Sequence, residues 1–207
     1  MRCPDLGLLS LALLGACANP RYFAPRENVN GSGPGGYPAA VYPIADGAAM
    51  GEVRVWSAGT RAIEVEENGE PREIVELHAG FEVENTGAEA LALDVAAVTC
   101  EDLQIGALRI ESLSPVSTVG QARAEPGKTV RLEAFFRPGP AERPRDVASF
   151  SLRFRVTAGD RPVLVQVTPF EPYAPAYYWH DDWAWGYPGC WGSPYWSVGF
   201  GWHHHWH

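Results

Sequence analysis

Lysine is almost missing from this chain: of 16 basic residues only Lys128 is a lysine, and the formal net charge is -9 with an isoelectric point near 5.1. No basic stripe runs along it, which excludes a nucleic-acid partner held by its phosphates. Catalytic signatures are also lacking. Ser, Asp and Glu are scattered without a nucleophile-elbow pattern, a zinc-protease histidine pair or a phosphate-binding loop, so no enzymatic activity is expected. There is no Asp-rich loop of the kind that collects six to eight oxygens around calcium. The glutamates crowded at Glu64, Glu66, Glu67, Glu70, Glu73, Glu76, Glu82 and Glu84 therefore read as outward strand positions and a polar turn. Sustained apolar runs are missing too. The stretch from Leu6 to Leu14 is too short to span a bilayer as a helix, and no other segment approaches that length.

What that short apolar stretch does is suggested by its surroundings. Arg2 precedes it and the small residues Gly15, Ala16 and Ala18 follow, an arrangement that reads as an export signal over residues 1–16. Leu14, Gly15, Ala16 and Cys17 resemble the lipobox of bacterial lipoproteins. The resemblance implies cleavage before Cys17 and lipidation of that cysteine, with several acyl chains holding the protein firmly where one would bind only marginally. In the enterobacterial pattern Ala18, not being Asp, directs such a protein to the outer membrane. The alternative is an ordinary signal, since Ala16-Cys17-Ala18 also fits an A-x-A cleavage pattern. Residues 17–49, rich in Pro and Gly and without apolar periodicity, read as a flexible tether that would reach about 30 Å.

From residue 50 to 170 the texture changes to alternation of period two. Val75, Leu77, Ala79, Phe81 and Val83 fall on one face of "IVELHAGFEVEN", with Glu76, His78, Glu82 and Glu84 on the other. Leu91, Leu93 and Val95 repeat the pattern beyond "NTGAE" and predict a hairpin over 74–98. Val130, Leu132, Ala134 and Phe136, then Phe150, Leu152, Phe154 and Val156, then Val163, Val165 and Val167 mark three further inward faces. With "GEVRVWS", "AIEVEE" and "LRIESL" these predict seven to nine short strands in an all-β antiparallel sandwich, with no amphipathic helix. "FEVENTGAEALALDV" and "EPGKTVRLEAFF" resemble the immunoglobulin-like domains of uncharacterised exported bacterial lipoproteins. That resemblance implies a fold and a compartment but no substrate. The antibody-type Cys…Trp…Cys spacing is absent.

Few groups offer chemistry. His78 is the only histidine outside residues 171–207 and is expected on the solvent face of its strand, without a partner. Cys100 and Cys190 are the cysteines of the mature chain. An oxidising periplasm allows a bridge between them, and free thiols or pairing with another molecule are the alternatives. The tail, 171–207, holds seven of the eight tryptophans and five of the six histidines. In "GWHHHWH", if extended, His203, His205 and His207 share one side, where neutral imidazoles suit Zn, Cu or Ni. His180, Asp181 and Asp182 match no defined zinc spacing. Two other readings stand beside metal binding: the tryptophans contact a membrane interface or a glycan, or the tail is purely structural. The expectation is thus a non-enzymatic, lipid-anchored envelope protein with a structural or binding role, its partners being the membrane through Cys17 and an envelope protein or glycan.

Overall fold

The computed structural model describes residues 20–67 and 69–174. Thirteen strands account for most of them: β1 (Phe23–Pro25), β2 (Val29–Ser32), β3 (Pro38–Asp46), β4 (Ala48–Glu67), β5 (Glu70–Asn85), β6 (Leu91–Leu93), β7 (Thr99–Ile105), β8 (Leu108–Leu113), β9 (Ser117–Gly120), β10 (Arg123–Ala124), β11 (Thr129–Phe136), β12 (Val147–Ala158) and β13 (Arg161–Pro172). They pair antiparallel in two sheets. One has the order β2-β3-β4-β5-β11-β9; the other runs β1-β13-β12-β6-β10, with β7 also on β12 and β8 on β7. The described residues are an all-β sandwich, as the period-two alternation predicts.

The inward faces meet in one core. Leu77, Ala79, Phe81 and Val83 of β5 and Leu132, Ala134 and Phe136 of β11 are buried against Phe150, Leu152, Phe154 and Val156 of β12. Phe154 meets Phe81 edge-on with ring centroids 5.5 Å apart, and Phe150 stacks on Phe170 at 5.0 Å. Each such side chain taken from water contributes about 1.5–3 kcal/mol.

Four expectations are corrected. The tether is overturned from residue 20 onward, because residues 23–46 supply β1, β2 and β3, and Phe23, Ala39, Ala40 and Ile44 are buried in the sandwich. Proline content misled here, since the prolines sit where a strand loses nothing by lacking a donor. Pro25 ends β1 and Pro38 opens β3, while Pro43 faces Glu52 of β4 at a point past the reach of β2, whose register on β3 covers only Pro38 to Ala40.

The 74–98 hairpin is the second correction, because β6 pairs with β12 and β10 in the opposite sheet. Asn85 turns the chain across: its amide donates to the Glu89 and Ala124 carbonyls at 2.9 and 2.8 Å, and its Oδ1 accepts from Gly87 N–H at 2.9 Å. Third, Val163, Val165 and Val167 do not form one inward row: Thr168 and Phe170 are the buried residues of β13, and of the three valines only Val163 packs against the core, together with Leu164. The register of β13 sets Phe170 opposite Phe150 and Thr168 opposite Leu152, and leaves Val165 55% exposed. Fourth, "GEVRVWS" and "AIEVEE" are one 20-residue strand, β4, kinked by a register shift between Trp56 and Gly59.

Candidate functional site

Strand alternation should leave the outer face of the six-stranded sheet in water, yet its centre is covered. Three rows cross β4, β5 and β11 there. Arg54, Glu82 and Arg131 form the first, Trp56, Gly80 and Glu133 the second, and His78 with Phe135 the third. Glu82 holds the first row together, accepting from Arg54 at 2.9 Å and from Arg131 at 2.8 Å, while Arg54 also pairs with Glu52.

In the second row Trp56 is only 1% exposed, because Gly80 lacks the β-carbon that would overlap its indole and Gly33 of the β2–β3 loop closes over the ring. The Arg131 guanidinium lies 5.8 Å from the indole centroid.

His78, in the third row, is not the unpartnered surface residue expected. Its Nδ1 accepts from Ala58 N–H at 3.0 Å, which places the ring proton on Nε2, and Nε2 donates to Glu133. Phe135 packs edge-on against the imidazole, with centroids 5.3 Å apart. Ser57 lies beside it, so serine, histidine and glutamate meet here as residue types, but they are wired for structure. The Ser57 hydroxyl donates to the His78 carbonyl at 2.6 Å and accepts from Gly59 N–H at 3.0 Å. The imidazole nitrogen a serine proton would need is already taken by Ala58. This constellation fixes the kink in β4 and offers no activated nucleophile.

Around this centre runs a tyrosine cluster built by the chain's first described residues. Beyond Trp56 strand β3 has ended, and its place beside β4 is taken by Arg21, which exchanges two hydrogen bonds with Thr60 at 3.2 and 2.9 Å. The close approach requires Gly59, whose φ of 94° and position against the Arg21 carbonyl leave no room for a β-carbon. Tyr22 then stacks with Tyr37 (centroids 6.3 Å apart) and meets Tyr173 edge-on at 6.4 Å, and Tyr173 N–H donates to the Tyr22 carbonyl at 3.1 Å. Burial pushes the Tyr37 phenol up to about 12, with Tyr22 and Glu133 adding to the shift, so it stays a neutral hydrogen-bonding group. All three tyrosines are half-buried, with part of each ring facing out.

The sequence-predicted site residues fare differently. Cys17, Cys190, His203, His205 and His207 lie outside the described residues. Cys100 is a free thiol, fully buried in the core, and burial pushes its ionisation up. It acts as a small apolar side chain. It is expected to stay unreactive toward an aromatic disulfide reagent in the native protein and to react within seconds in guanidinium; fast native labelling at this position would contradict its burial. Among the described residues no three His, Cys, Asp or Glu groups converge as for a metal ion. No helix among them is long and apolar enough to cross a membrane.

Sequence reasoning missed the His78–Glu133 pair and the tyrosine cluster. The two "outward" residues of the pair are 55 positions apart, and only the β5–β11 register brings them opposite each other's neighbours. A weak signal was present in Trp56 and Phe135, two large aromatics at nominally outward positions. No protein-family model matches the chain, and no curated protein or solved structure is similar to it.

Proposed function

We propose that the chain is a lipid-anchored, non-enzymatic protein of the bacterial cell envelope, attached through Cys17 to the outer membrane, with the sandwich acting as a structural or binding platform held close to the lipid. One observation carries this reading. Only Ala18 and Asn19 separate Cys17 from Pro20, and Arg21 is already hydrogen-bonded into the sheet through Thr60. Four residues of extended chain span about 14 Å. An anchored domain therefore rests at the headgroups instead of standing off on a long tether.

The rest of the described surface supports a binding role over a catalytic one. The Ser57, His78 and Glu133 groups are committed to one another and to the backbone. Half-exposed tyrosines at Tyr22, Tyr37 and Tyr173 suit a wet interface with an envelope protein or glycan. Labelled palmitate is expected to enter the wild-type protein in its host and to be absent from Cys17→Ser. Equal labelling of both proteins would remove the anchor.

A further inference from the structure

We draw no further inference here: the strongest candidate, the apolar groove between the free edge of β9 and the turn at Val95–Ala97, lined by Val95, Val98, Pro115 and Val116, is an unpartnered surface with nothing in the structure to show what covers it.

Discussion

A fragment from Met50 to Tyr173 is expected not to melt cooperatively, whereas one from Pro20 to Ala174 is. Removing the first strands takes away Phe23, Tyr42 and Ile44, all buried, together with Ala39 and Ala40. At about 1.5–3 kcal/mol for each of the three large side chains the loss is roughly 5–9 kcal/mol. That is comparable with the whole stability of a domain, about 5–15 kcal/mol. Stripping β3 also leaves β4 without its partner from Gly51 to Trp56 and opens the core beneath Phe154, against which Tyr42 packs at 6.0 Å. It removes as well the hydrogen bond, 2.9 Å long, between the Tyr42 and Thr168 hydroxyls, leaving a buried threonine oxygen unpaired. Far-ultraviolet circular dichroism during heating distinguishes the outcomes. Two superimposable, equally sharp transitions would mean that β1 to β3 are ornament.

The second large effect is expected at a position that alternation assigns to solvent. Trp56→Ala should cost about 3–5 kcal/mol, the loss seen on emptying the site of a large buried aromatic. The indole is nearly fully enclosed between Gly80 and Gly33, and Arg131 stands over its ring. Gly80→Val should destabilise for the reciprocal reason, since its side chain would need the volume the indole fills. Denaturant unfolding of both variants measures this. A change under about 1 kcal/mol for Trp56→Ala, the size of an ordinary surface substitution, would put the outer face back in water.

Most strand faces could be read from the chain because side-chain direction in a strand is a local property. Leu77, Ala79 and Phe81 point inward whatever strand lies beside them. The alternation failed at β13, where Val163, Val165 and Val167 are as regular as the inward rows elsewhere. Leu164 and Phe170 supply a second apolar set on the same strand; the register with β12 turns Phe170 inward and Val165 outward, and its shift at Val156/Thr157 leaves Val163 and Leu164 both against the core. It failed for a different reason between Pro38 and Ile44, where prolines at positions that need no donor hid a strand paired along its length with β4. The outer-face cluster was illegible because its members come from β4, β5, β11 and the β2–β3 loop, and nothing in any one segment announces the others.

Composition and period alone determined that this acidic, lysine-poor chain builds an all-β sandwich around the inward rows of β5, β11 and β12, since burial of alternating apolar side chains depends only on local geometry and the hydrophobic effect. Tertiary structure decided which strands become neighbours. That choice drew residues 23–46 into the sheets, crossed the chain from β5 to the opposite sheet at Asn85, wired His78 to Glu133 and Ala58, and sent β4 and β5 past the core as an arm. Those outcomes rest on pairings between residues tens of positions apart, whose closure cost and register are settled only when all the strands compete for partners at once.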